Sequence, residues 1–304
     1  MQMTRSKTAL AAGSVAALLA LAGCSADSSA SSAAGEGGGE LGTLTIGYIP
    51  SWTDTLATAF LAKNQLEKLG YEVEFEELTE AAIVYTGLAS GDIDIYPSAW
   101  PDMTHAAYVE KYGDDLEDLG TFYDQAQNFL AVPTYTDIDT IEELAQNPDM
   151  FGGEIVGIEP SAGLTQQTEE SVMPAYGLDE NFSLVTSSTA SMLATLEDAM
   201  SNEEDIVVTM WRPYWANGSF DLKPLEDPDG AMGESETMHT FATKGFSEEF
   251  PEAAEYFAGF ELDDSEWSSL EDLIVNEYGD GEEDAAVEQW IADNPDAYET
   301  LDAE

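Results

Sequence analysis

From Thr43 onward the apolar pattern changes between a period of two and a period near 3.6, and it does so twice in the same order. That repetition confines the chain to a layered α/β fold. TLTIGYI (43–49), the amphipathic DTLATAFLAKNQLEKLG (54–70), YEVEFEEL, EAAIVYTGLASGD and IDIYPSAW (93–100) read as strand, helix, strand, helix, strand. EIVGIE, GLTQQTEESVMPAYGL, FSLVTSS, SMLATLEDAMSN and DIVVTMW repeat that order from Glu154 to Trp211. Parallel strands need a crossover of this length, so each run predicts a βαβαβ unit and the pair predicts two lobes. NFLAVPTY (128–135) and ETMHTFAT (236–243) lead out of the first unit and back into it, which is the geometry of a two-strand hinge. Three helical patterns follow from Ser247, the last broken at Asn294-Pro295, and they are expected to pack on the first lobe. The division this implies is 43–131 plus 240–304 for lobe 1 and 132–239 for lobe 2.

The first residues stand apart from that rhythm. Arg5 and Lys7 precede a weakly apolar run, Thr8 to Ala22, which is too short to span a bilayer and reads as an export signal over residues 1–23. It ends in Leu21-Ala22-Gly23-Cys24, similar to the lipobox at which a cysteine is lipidated and becomes the new N-terminus. Cys24 is the chain's one cysteine, so disulfides are excluded once it carries lipid. Residues 24–42 then read as a flexible Ser/Ala/Gly leash. The expected product is an extracytoplasmic domain anchored by lipid to the outer face of the cell membrane.

Net charge is −54 for the whole chain and −56 once Arg5 and Lys7 leave with the signal. Such a field repels phosphate backbones and anionic lipid, so nucleic acid is excluded as a partner. The acids are dispersed along helices, and a folded domain that tolerates this self-repulsion points to a salt-rich, halophilic setting. A monomer is expected.

Three tryptophans sit where a strand-like run stops: Trp52, Trp100 and Trp211. In open α/β sheets ligands bind beyond the carboxyl ends of the strands, and indole is the best cation–π partner among side chains. The residues alone therefore suggest a binder of a small cation. Trp267 and Trp290 lie within helix-period stretches where packing accounts for them. Motifs for catalysis are missing: there is no GxSxG, no GxGxxG or P-loop, no HExxH and no cysteine free to act as nucleophile. No cofactor is expected. His105 and His239 are the two histidines; no short metal-ligand spacing joins them, which weighs against a shared metal site, but a metal-binding surface lipoprotein or an enzyme using both stays open as an alternative.

The segments IGYIPSWTDTLA, GLASGDIDIYPSAWPDMTH, IVGIEPSAGLTQQTEE, IVVTMWRPYWA and ETMHTFATKGF resemble the glycine betaine/proline betaine substrate-binding proteins of ABC importers, in their lipoprotein form. The resemblance implies a type II periplasmic-binding-protein fold that carries betaine to a membrane permease. It also implies a cation cage of Trp52, Trp100 and Trp211, and a carboxylate site made by His105 with the backbone N–H groups of Gly163 and Leu164. Physical chemistry supports the second pole independently, since a helix that begins at Gly163 directs N–H groups and its positive end at an anion. Some family members carry tryptophan at the position of Ala162, so the alanine here throws weight on Trp52 and predicts a looser cage. Choline, carnitine and ectoine remain alternative ligands. His239, on a hinge strand, is expected to be structural, and Arg212 to be a surface cation.

Overall fold

In the computed structural model, which describes residues 41–295, the sheet is built from two parallel blocks joined by long antiparallel strands. The first block holds β1 (Thr43–Tyr48), β2 (Glu72–Glu77) and β3 (Ile95–Ala99), with β1 central and parallel to both neighbours. The helix Thr53–Leu69 connects β1 to β2, and the helix Ala81–Ser90 connects β2 to β3. Each of these helices stops at a glycine in the left-handed region, Gly70 at φ 103° and Gly91 at φ 74°. Their N–H groups turn back to the last carbonyls and end the helix cleanly.

Next comes β4 (Leu116–Pro133), an 18-residue strand. Beyond it, β5 (Glu154–Val156), β6 (Ser183–Val185) and β7 (Val208–Arg212) form the second parallel block. The helical run 163–176, which contains a π segment at Thr168–Val172, links β5 to β6, and the helix Thr189–Ser201 links β6 to β7. After β8 (Leu222–Pro224) the chain returns through β9 (Glu236–Thr243). The strand order is β2-β1-β3-β9-β4-β7-β5-β6, with β8 on β4.

The fold is thus α/β with two βα lobes joined by two strands, the lobes expected from the repeat and the architecture that the family resemblance implies. The joint itself is longer than NFLAVPTY suggested. From Leu116 to Ala126, β4 pairs antiparallel with β9; from Gln127 onward it pairs with β7 and β8. One continuous strand therefore passes from one block to the other. Its first half breaks register against β9 at three places, and that irregularity erased the period-two pattern from LEDLGTFYDQAQ.

A further irregularity places the site. Pro97 lies inside β3 and cannot donate to the ladder, and the β3/β9 register shifts between Tyr96 and Ala99. The strand end that carries Trp100 is thereby re-aimed. The C-terminal helices cover the helix Thr53–Leu69 and β4 with Phe257, Trp267, Leu270 and Trp290 fully or nearly fully buried. Trp267 packs against Phe122 and Tyr123, so it and Trp290 are core residues.

Candidate ligand-binding site

The loops after β1, β3 and β5 meet the end of β7 around one cavity with about 350 Å³ of atom-free space. Trp52, Trp100, Trp211, His105, Gly163 and Leu164 all line it. Asp54, Tyr96, Thr104, Asn128, Ile158 and Ala162 complete the lining.

The three indoles are 6%, 4% and 5% exposed, so a cation held between them would be largely stripped of water. Cation–π attraction is then at its strongest, up to about 2 kcal/mol or more per contact. Each ring is held from behind. Trp52 donates its indole N–H to Glu159 Oε2 and Thr189 Oγ1, both at 3.1 Å. Trp211 stacks on Tyr214 with ring centres 3.9 Å apart, and its carbonyl accepts from Asn217 Nδ2 at 2.8 Å. Trp100 is fixed by reciprocal bonds across its loop: its carbonyl accepts from His105 N at 2.8 Å, and its N–H donates to His105 Nδ1 at 3.0 Å.

That last bond settles the state of His105. Nδ1 accepts, so in the neutral ring the proton sits on Nε2. Burial pushes the imidazole down to about 3, which keeps it neutral at ordinary pH. His105 is a dipolar donor here and carries no charge.

Asp54 contributes the opposite chemistry. It stands two residues after Trp52 in the first turn of its helix, is 3% exposed, and accepts from Ser98 Oγ at 2.6 Å. Burial pushes its carboxyl up to about 6, against the stabilising hydrogen bonds from Ser98 and the Trp100 side chain, so at neutral pH it remains a carboxylate lining the cavity. The Tyr96 hydroxyl, buried on the same wall, has no hydrogen-bond partner. A buried polar group of this kind calls for a ligand or a water to satisfy it.

At the β5 side, Ala162 is extended (φ −63°, ψ 137°) and has no side chain to cap the helix that follows. The first-turn N–H groups at Gly163 and Leu164 are left for an acceptor other than a cap. Gly163 is required for a second reason, one its sequence context did not reveal: a Cβ there would stand 1.8 Å from the carbonyl oxygen of Thr104. The loop that carries His105 and the start of this helix therefore touch. Thr104 is pinned in turn, its N–H and that of Met103 donating to Glu236 Oε2 at 3.2 and 3.0 Å, while Asn128 Nδ2 bridges Thr104 Oγ1 (2.7 Å) and Gln167 Oε1 (3.1 Å).

Other candidates lie elsewhere. His239 is on β9, with Nδ1 2.8 Å from Asp118 and Nε2 3.0 Å from the hydroxyls of Thr121 and Thr237. His105 and His239 thus serve separate hydrogen-bond sets, and the reading that paired them as metal ligands or catalytic groups is corrected. Among the described residues no group of three or more His, Cys, Asp or Glu is arranged to hold a metal ion. Arg212 is exposed and lies over the Phe129 ring at 5.0 Å. Cys24 and the signal-like segment lie outside the described residues, and no described helix is long and apolar enough to cross a membrane.

The family model for the substrate-binding domain of ABC-type glycine betaine transport systems matches residues 42–293. The chain belongs to this family. It is a transport substrate-binding protein and not an enzyme. It is similar to the glycine betaine/carnitine transport binding protein of Listeria monocytogenes, 39% identical over 142 residues, which cover 47% of this chain and 46% of that protein. The aligned segment is thus less than half of either. Among solved structures, the glycine betaine/L-proline-binding protein of Borrelia burgdorferi matches with a TM-score of 0.77 and 33% identity, over 83% of this chain and 93% of that one. The lactococcal protein in its closed, glycine betaine-bound form matches with a TM-score of 0.76 and 29% identity, over 83% and 96%.

Within this family frame, the site residues that sequence reasoning passed over are Asp54, Tyr96, Thr104 and Asn128. Asp54 carried a usable signal, a carboxylate in the turn directly after a cage candidate. Tyr96 lies on the strand that delivers Trp100. Thr104 and Asn128 gave none, because their roles arise from contacts between the lobes.

Proposed function

We propose that this protein captures glycine betaine or proline betaine between its lobes and delivers it to an ABC transporter permease for osmoprotection. The trimethylammonium group lies among Trp52, Trp100 and Trp211, and the carboxylate is met by His105 and the N–H groups of Gly163 and Leu164. The observation that carries this reading is the convergence of those six residues, drawn from the loops after β1, β3 and β5 and from the end of β7, on one cavity. Burial of a carboxylate requires hydrogen-bond donors, and the neutral His105 and the uncapped helix start supply them. The lobes are taken as 43–131 plus 240–304 and 132–239. Lipidation at Cys24 would hold the monomer at the outer face of the membrane, and the net charge of −54 suits a salt-rich surrounding. Calorimetric titration with glycine betaine at high salt tests the reading: saturable heat that Trp100→Ala abolishes is expected, and no heat with any betaine would refute it.

Asp54 favours a second reading, choline. A carboxylate lining the cavity attracts a cation and can accept a hydroxyl, and it opposes a second carboxylate nearby. Betaine affinity that falls below choline affinity in the same titration would select it.

A further inference from the structure

We propose that Glu159 is a positioning residue that fixes Trp52 as a wall of the cage and makes completion of the cage depend on closure of the two lobes. The inference rests on the reading of the cavity as a quaternary ammonium site and adds to it the device that assembles the site.

Trp52 follows β1 and Glu159 follows β5, 107 residues later and in the other lobe. The indole N–H is the only polar group that side chain has. It is committed to Glu159 Oε2, with Thr189 Oγ1 sharing it, each at 3.1 Å. A ring bound to its own backbone at one end and to a carboxylate at the other has its plane set, and the plane decides whether a π face meets the ligand.

The carboxylate is itself immobilised within its own lobe. Thr189 N donates to Oε1 at 2.9 Å and Thr189 Oγ1 to Oε2 at 2.8 Å, at the start of the helix Thr189–Ser201, where the positive end of the helix dipole favours a negative charge. Glu159 is 6% exposed, and its oxygens are satisfied by Thr189 and the indole of Trp52. A buried acid is costly to keep unless it has such work.

The same turn carries Ala162, which lines the cavity together with Trp52. Ala162 N donates to Glu159 O at 3.0 Å, so Glu159 and Ala162 are the two ends of one turn. The residue that anchors the ring and the small lining residue Ala162 are therefore coupled in sequence. The turn meets the first lobe once more, where the Tyr108 hydroxyl donates to Ser161 O at 2.6 Å. When the lobes part, Trp52 leaves Glu159 and the ring loses its orientation; when they close, the cage is complete.

The amide in Glu159→Gln has a single oxygen, so its NH2 must face either the indole N–H or Thr189 N–H, and one of the two bonds is lost. Glu159→Ala removes both. The test reads the Trp52 indole 15N–1H resonance, assigned with Trp52→Phe, together with the stopped-flow dissociation rate of glycine betaine from the full chain. Glu159→Ala is expected to move the resonance upfield and to raise the dissociation rate by about tenfold, with the association rate little changed, and Glu159→Gln, which keeps one of the two bonds, to raise the dissociation rate less. An indole resonance that Glu159→Ala leaves in place would overturn the proposal, as would an affinity loss confined to association. If the unsubstituted protein bound no betaine, the functional reading would fall and the resonance alone would still decide whether Glu159 holds the ring.

Discussion

The two ends of the cavity are supported by opposite means. At the aromatic end acids stand beside the rings: Asp54 lines the cavity against Trp100, and Glu159 holds Trp52. At the His105 end the donors carry no full charge, because the imidazole is kept neutral by burial and its companions are backbone N–H groups. A zwitterion fits this asymmetry in one orientation only. On the proposed reading, its cation would gain from fixed negative charge and π faces, and its carboxylate would be met by dipoles that need no compensating cation in a chain with net charge −54.

The largest break in that arrangement is expected from Gly163→Ala. The added methyl would meet the Thr104 carbonyl at 1.8 Å and keep the two loops apart. Betaine affinity measured by calorimetry should fall by about 100-fold or more, since the clash is with backbone that cannot move aside cheaply. Trp211→Ala comes next. Removing one cation–π wall and exposing Tyr214 behind it should weaken glycine betaine and choline alike, by about 10- to 30-fold. Equal losses for both ligands would place Trp211 at the aromatic end.

Asp54 sharpens the contrast through pH. Its carboxyl titrates at about 6, so choline affinity should decline as pH falls below that value and the charge is neutralised. Asp54→Asn should lower choline affinity by about tenfold at pH 7.5 and remove the pH dependence. A further effect concerns stability. Glu271, buried behind the site where it accepts from Thr53 Oγ1 at 2.8 Å, is pushed by burial from 4.5 up to about 8. The folded protein holds that proton more tightly than the unfolded chain. Its contribution is complete below about pH 4.5 and is lost as pH rises to about 8. The slope reaches at most about 1.4 kcal/mol per pH unit. Urea unfolding between pH 5 and 8 should show this decline, and Glu271→Gln should flatten it.

The aromatic end was far more legible in the sequence than its supports. Trp52, Trp100 and Trp211 announce themselves because strand ends are recognisable from periodicity and tryptophan is rare there. Both βαβαβ units were legible for the same reason. What stayed hidden depends on pairs distant in sequence: Glu159 with Trp52, Thr104 with Gly163, Asn128 with Gln167. No local period encodes a contact between lobes. The first half of β4 was hidden differently, because its register breaks against β9 disturb the alternation by which strands are recognised.

The central claim is that the cavity has an aromatic pole and a separate, uncharged carboxylate pole. It is tested most directly by titrating glycine betaine and choline, side by side at high salt, into the unsubstituted protein and into His105→Ala. The account predicts that glycine betaine loses about tenfold in affinity while choline, which has no carboxylate, is unaffected. Equal losses for the two ligands, or none for betaine, would contradict it.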